Sequence, residues 1–535
     1  MHHRTFTWGR SKKQYRLSSK LTDGLWVVGL LAAAVLLFSI NLGELPLRDW
    51  DEGTVAQVAR EIWQSPPGAM HWLYPTLRGE PYYNKPPLVH LLIASAYSVW
   101  GVSEWTARLP GAMLTAISVP LLYLIGRELF SRRAAVYSAL IYMTLLPVVR
   151  HGRLAMLDGA VICFFLLMLL CVLRSRRDLR YCLGIGIGFG LISLTKGIIG
   201  ILLLAIALVF LLWDTPRLLK SGYLWSGILI GSVPVALWYG LQWWHYGKSF
   251  THVGMVDQSL SRIWQSVEAH SGPPWYYLLQ IAEYAWPWLL FLPATGAAVW
   301  ENRNLSWAKL LLVWSSGYLL SISLMETKLP WYVLPIYPCL ALASGFGLAR
   351  ATDGQHKAYP RYWMAGLVLL SVVACIGGCY FTWSAAEDGD LQLLCAAVAL
   401  TMGLTAIMLS QKDTEFLTVL FWGCYVSLLL LMTSNHWVWE LAENYPVQPV
   451  AQMIRDHTLK GEKIYTDPDN DRPSLNFYSE RPIKIANNSQ MQQHWRFDDQ
   501  PYLLIEQDTL TQLNLTSVKL LGKSKDLLLI TKNNH

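Results

Sequence analysis

Asp49, Trp50, Asp51 and Glu52 follow directly on an apolar run from Leu25 to Leu42, and Lys85-Pro86-Pro87 comes later in the same loop. Carboxylates placed just outside a hydrocarbon layer can take a proton from a hydroxyl that water or a lipid headgroup brings to them. A lysine beside them can hold a phosphate as a point charge. No rule of helix or turn chemistry calls for Asp-Trp-Asp-Glu, so the cluster reads as half of a catalytic site at a membrane surface. The rest of the chain has to supply the other half and to position both.

The elements available are membrane spans. Of the 535 residues, 53% are hydrophobic and 15% charged, with a mean hydropathy of +0.30; a soluble domain carries about 25% charged residues. Apolar runs of spanning length recur over residues 24–42, 107–127, 134–149, 157–174, 180–195, 198–213, 223–244, 276–299, 307–324, 331–349, 361–382, 391–409 and 416–433. The 26 Trp and 26 Tyr suit membrane interfaces. The net charge of +7 comes from basic residues in short loops, which reads as positive-inside anchoring and not as a nucleic-acid surface. Cys163, Cys171, Cys182, Cys339, Cys375, Cys379, Cys395 and Cys424 all fall in apolar runs and read as small hydrophobes, without a disulfide or metal pattern. The basic start (Arg4, Arg10, Lys12, Lys13, Arg16, Lys20) before a long first span reads as a retained signal anchor.

The run Leu88–Gly101 decides the topology. If it does not cross, the basic loops (Arg127/Arg132/Arg133, Arg174/Arg176/Arg177/Arg180, Arg217/Lys220, Arg303/Lys309, Arg350/Lys357/Arg361, Lys412) all face the cytoplasm, as the charge rule requires. It is therefore expected to lie at the outer surface or to be re-entrant, leaving about thirteen spans. Residues 1–433 then form a membrane domain with an outer loop at 43–106 carrying juxtamembrane helices. Residues 434–535 form a small α/β domain outside the cytoplasm, with a helix near Val447–His457 and strands near Lys463–Thr466, Ile483–Ala486, Tyr502–Glu506 and Leu527–Thr531.

The same count gathers further ionisable residues on the outer side: Arg150, His151 and Arg153 with Asp158, then Lys196, then Asp257, Arg262, Glu268 and His270, then Glu326 with Lys328. Plainer readings stand beside each. Arg60 and Glu61 could solvate a surface helix, Lys196 could snorkel to the interface, Asp158 could cap a helix, and His270 could be structural. Arg150 and His151 read as interface residues.

At this point the motifs RDWDEGTVAQVARE, GEPYYNKPPL, RLPGAMLTAISVPLLYLIGRELF, GRLAMLD, LTKG, HSGPPWYY and ETKLPWYVLPIYP, in order over residues 25–350, resemble the GT-C membrane glycosyltransferases, in particular the bacterial ArnT-like and protein O-mannosyltransferase-like group. The resemblance implies a multi-span helical core with juxtamembrane helices. It also implies a polyprenyl-phosphate (undecaprenyl-phosphate) sugar donor and inverting displacement, with a lipid, glycan or protein acceptor. It implies Asp51 as the base and Asp158 as a second acid; Glu52 and Arg60 stand as further candidates from the residues themselves. Lys85, Tyr82, Lys196, Lys328, Tyr332 and His270 would surround the donor phosphate. A divalent metal (zinc, magnesium or manganese) would meet His270 and Asn84. ArnT-type sequences carry glutamate where this chain has Asn84, and Arg-Tyr where it has Thr54-Val55, so aminoarabinose is not assigned as the sugar.

The expectation is a glycosyltransferase in the bacterial inner membrane, with its site and C-terminal domain on the periplasmic side. Its partners would be the lipid-linked donor, the acceptor and membrane lipids, and no nucleic acid. The rival reading is a lipid-linked sugar translocase, which would place charges along a path through the membrane.

Overall fold

The computed structural model describes residues 8–266, 270–353, 359–383, 387–439 and 447–533. Arg4, Glu268 and Lys357 lie outside these, as do the side chains of Arg10, Lys12, Lys13 and Arg16.

The chain is a multi-pass helical membrane protein. Among the described residues, eight helices are long and apolar enough to cross a membrane, or nine if one bent pair counts as a span. Helix α1 (Trp8–Ser39) leads into the outer loop, which holds α2 (Asp51–Trp63), the hairpin strands β1 (Thr76–Leu77) and β2 (Glu80–Pro81), and α3 (Leu88–Trp100). Helix α4 (Glu104–Leu129) starts at a capping box in which Ser103 and Thr106 satisfy each other's backbone N–H groups.

Helices α5 (Arg132–Met143) and α6 (Leu146–Arg153) are the bent pair, turned by 57°. Pro147 in the first turn of α6 lacks the N–H that a continuous helix would need, so the chain breaks and restarts there. Helices α7 (Asp158–Arg174), α8 (Tyr181–Lys196), α9 (Ile199–Asp214) and α10 (Gly222–Tyr246) follow. At 16 residues each, α8 and α9 reach only about 24 Å, short of a ~30 Å hydrocarbon core, although the sequence reads them as spans. The expected span over 276–299 is likewise divided, into α11 (Tyr276–Tyr284), a 3₁₀ turn and α12 (Leu292–Glu301). Helices α13 (Ser306–Leu324), α14 (Tyr337–Asp353), α15 (Arg361–Trp383), α16 (Gly389–Ser410) and α17 (Phe416–Thr433) complete the bundle. All eight cysteines are free; Cys375 and Cys379 are exposed on α15 and the others are wholly or partly buried.

Beyond α17, Trp437 is fully buried between the guanidinium groups of Arg108 and Arg153, 5.0 and 4.5 Å from its ring centroid. The C-terminal α/β unit follows. Its strands β3 (Ile464–Thr466), β4 (Ile483–Ile485), β5 (Tyr502–Glu506), β6 (Val518–Ser524) and β7 (Leu527–Lys532) order as β4-β3-β5-β7-β6, parallel across the first three and antiparallel beyond. Alternation along β5 sends Tyr502 and Leu504 into one buried layer with Val450 and Ile454 of α18 (Val447–His457). Leu503 and Ile505 enter the opposite layer with Met491 and Trp495 of α20 (Asn488–Phe497). Between β3 and β4, α19 (Pro473–Ser479) packs against α2 of the outer loop. The sheet thus stands over the loop that carries the acidic cluster.

Candidate functional site

One end of the bundle holds a cavity of about 1430 Å³. That exceeds the ~300–1,000 Å³ typical for one small ligand and leaves room for two substrates. Its wall is built from separate elements that meet because antiparallel neighbours end at the same level. Asp158 opens α7, and Lys196 closes the following helix, α8. Gly197, at φ +65°, ends α8 there in a left-handed conformation that a side chain would strain. Lys196 Nζ donates to Asp158 Oδ1 at 2.6 Å, and both side chains are largely buried. The break before α6 brings Arg150 and His151 to the same wall.

Of the residues expected from sequence, Asp51, Asp158, Lys85, Tyr82, Asn84, Lys196, His270, Lys328 and Tyr332 all line this cavity. Lys85 is the distinctive one. Among the described residues it makes neither an ion pair nor a hydrogen bond. Burial, together with the positive charges of Arg262 and Lys196, pulls its ammonium down to about 7, with Asp158 opposing. Arg262 Nη1 donates to the Tyr332 hydroxyl at 3.2 Å, and Lys196 Nζ lies 5.5 Å from the centroid of the Tyr332 ring. Lys85, Arg262 and Lys196 form one cationic pole.

Asp51 feels Lys196 of this pole and Arg48 of a second. Arg48 Nη2 approaches its Oδ2 at 3.1 Å. Burial raises the Asp51 carboxyl above the ordinary carboxylate range; Arg48 and Lys196 oppose the rise, while Asp158 and Glu52 add to it. The second pole is Arg48 with Arg150, whose guanidinium feels the charge of Arg48 and stacks 3.3 Å from the Trp439 ring centroid. Trp439 in turn lies parallel to Tyr284. Sequence reasoning misses Arg48 and Trp439. It sets Arg150 at the interface, and the signal that moves it inward is Pro147, three residues before it.

Three expected residues are engaged elsewhere. Glu52 is fully buried and accepts from Arg108 Nε and Nη2, both at 2.8 Å, and from the backbone N–H groups of Ala155 and Arg48. Arg60 does not reach the cavity; its Nη1 donates to the Phe477 carbonyl at 2.6 Å, and it pairs with Glu480. Lys328 lines the cavity, but its ammonium donates to the carbonyls of Ile322, Ser323 and Met325, closing the end of α13.

No group of three or more His, Cys, Asp or Glu side chains suited to a metal occurs among the described residues. Asn84 and His270 offer one amide and one imidazole, which is too weak a donor set for zinc, magnesium or manganese. The positive charge in the cavity comes from its own lysines and arginines.

The family model for dolichyl-phosphate-mannose-protein mannosyltransferase matches residues 84–239. Undecaprenyl phosphate-alpha-4-amino-4-deoxy-L-arabinose arabinosyl transferase 1 of Pseudomonas fluorescens is 30% identical over 339 residues, covering 60% of this chain and 59% of that protein. Transferase 2 of another strain of that species is 30% identical over 368 residues, covering 66% and 65%. The chain therefore matches about 59–65% of the length of these relatives. The fold is shared with ArnT from Cupriavidus metallidurans bound to undecaprenyl phosphate. The TM-score is 0.80 at 19% identity, over 95% of this chain and 98% of that one.

Proposed function

We propose that this chain, ArnT-like in sequence and in fold, is an integral inner-membrane glycosyltransferase that moves a sugar from a polyprenyl phosphate, undecaprenyl phosphate in bacteria, to an acceptor on the periplasmic face. In this reading residues 1–433 form the catalytic membrane domain and residues 434–535 an extracytoplasmic one. The observation that carries it is Lys85, a partly buried lysine with no ion pair or hydrogen bond among the described residues, sharing a cavity with the Asp51 carboxylate.

Asp51 takes the proton of an acceptor hydroxyl as the acceptor oxygen bonds to the anomeric carbon from the face opposite the phosphate. The bond from that carbon to the phosphate oxygen breaks with inversion, and its electron pair leaves on the phosphate, where Lys85 and Arg262 neutralise it. Asp158 holds the Lys196 ammonium in place through their ion pair. Arg48 and Arg150, which line the same cavity, favour an acceptor that carries its own anion, as phosphorylated lipid A does over a neutral glycan or a protein hydroxyl. Arg150→Ala is expected to raise the KM for such an acceptor about tenfold while kcat holds, from the loss of one charge-assisted contact.

The test is transfer by purified protein from a radiolabelled undecaprenyl-phosphate sugar. Movement of the lipid across proteoliposomes without an acceptor, and with no transfer when one is added, would replace the enzyme with the translocase reading. Lys85 gives a pH signature. Its charge in the free protein is lost as pH rises through about 7, so lipid-phosphate affinity falls by up to tenfold per unit above that. Between about 7 and its ordinary 10.5 the unfolded chain holds a proton that the folded chain lacks, so the stability of the unliganded protein rises with pH over the same window. Titrated binding and thermal melts should show these opposite slopes. Lys85→Met should remove both and weaken binding by about ten- to a hundredfold.

A further inference from the structure

Beyond the contacts of Arg60 with Phe477 and Glu480, the C-terminal unit meets the outer loop on the two segments that bear Asp51 and Lys85. Asp49, two residues before Asp51, is 4% exposed; its Oδ2 accepts from Arg472 Nη1 at 2.8 Å and its Oδ1 from the Ser474 hydroxyl. Gly53 packs so closely on α19 that a Cβ there would stand 2.7 Å from the Ser474 nitrogen, so only glycine permits the approach. Leu47 N–H donates to the Tyr478 hydroxyl at 2.8 Å. On the hairpin, Arg78 pairs with Asp471, and Glu80 with Lys484 at 3.2 Å. Arg78 and Gly79 sit at φ +61° and +77°, the left-handed pair of a tight hairpin turn, so the loop reaches Lys85 with little slack. Asp471, Pro473, Lys484 and Ile485 themselves line the cavity.

We propose that the C-terminal unit is part of the catalytic apparatus: Arg472 is a positioning residue that sets Asp51 through Asp49, while Asp471 and Lys484 hold the hairpin that presents Lys85. This rests on the reading of Asp51 as the base. The physical case is that the buried Asp49 carboxylate is held by Arg472 and Ser474, so the first turn of α2 cannot shift without breaking a buried ion pair. A base displaced by about 1 Å loses on the order of a hundredfold in rate. Arg472 is not among the residues that line the cavity, so donor binding should not register its loss.

The experiment uses the full chain, purified, with undecaprenyl-phosphate sugar as donor. Arg472→Ala is expected to lower kcat about ten- to a hundredfold with donor KM unchanged, and Arg472→Lys, which keeps the ion pair, to recover most of it. Should Arg472→Ala fail to fold, Ser474→Ala removes the other donor to Asp49 and should show the same kcat-only loss, reduced in size. Wild-type kcat in Arg472→Ala, or a loss that falls on donor KM and is not rescued by lysine, overturns the proposal. An active Asp51→Asn protein would instead remove the reading beneath it, so the two failures are separable.

Discussion

Asp51→Asn protein is expected to purify with wild-type yield, to bind undecaprenyl phosphate at least as tightly as wild type, and to transfer sugar about 10²–10⁴-fold more slowly. The amide keeps the shape of the carboxylate but cannot take a proton. A hydroxyl acceptor should lie at the upper end of that range; a phosphate acceptor, already ionised, uses Asp51 only for orientation and should lie at the lower. The sign of the stability effect follows from burial. The folded carboxyl is raised above its unfolded value, so its ionised form disfavours folding at neutral pH and the contribution improves as pH falls. The neutral amide removes that penalty, and the melting temperature at pH 7 should hold or rise. In the wild type, activity should fall with acid at a pH above the ordinary carboxylate range. Full transfer by the purified variant would end the assignment.

The next residue along should behave in the opposite way. Glu52→Ala leaves Arg108, itself 0% exposed, as a buried charge without its counter-ion. Arg108 also donates to the carbonyls of Leu42, Leu45 and Pro46, so the fault reaches the whole exit from α1. Breaking a buried pair from one side costs about 3–5 kcal/mol, a large share of the ~5–15 kcal/mol that holds a protein folded. The variant should be lost from the membrane fraction, or melt far below wild type in detergent. Glu52→Gln combined with Arg108→Met removes both charges and should recover much of that stability. A Glu52→Ala protein that melts like wild type yet has no activity would return Glu52 to the chemistry.

That contrast marks the limit of what residue types alone convey. The helical class, the one-sided gathering of charge and the identities of Asp51, Lys85, Asp158 and Lys196 follow from composition, hydropathy and motif order. What does not follow is which charge faces the cavity. Glu52 adjoins Asp51 in the chain, but one residue of helix turns it by ~100°, toward Arg108. Lys328 sits in a motif that suggests a phosphate ligand, yet the chain reversal after α13 brings three carbonyls to its ammonium. The second pole depends on a kink at Pro147 and on Trp439 returning beneath the outer loop, both set by packing between distant segments. Strand β6 escaped notice because it is an edge strand with an irregular register near Gly522 and no clean alternation.

The seam also has a consequence in time. Arg472 is made 423 residues after Asp49, so at ~5–20 residues per second the first half of the site waits on the order of 20–85 s for its partner. Through that interval the nascent chain has a donor-side lysine and an acid, but nothing yet sets the acid in register. On the proposed reading, a transferase assembled this way stays inert during membrane insertion and acquires activity only when its last hundred or so residues have crossed the bilayer and folded.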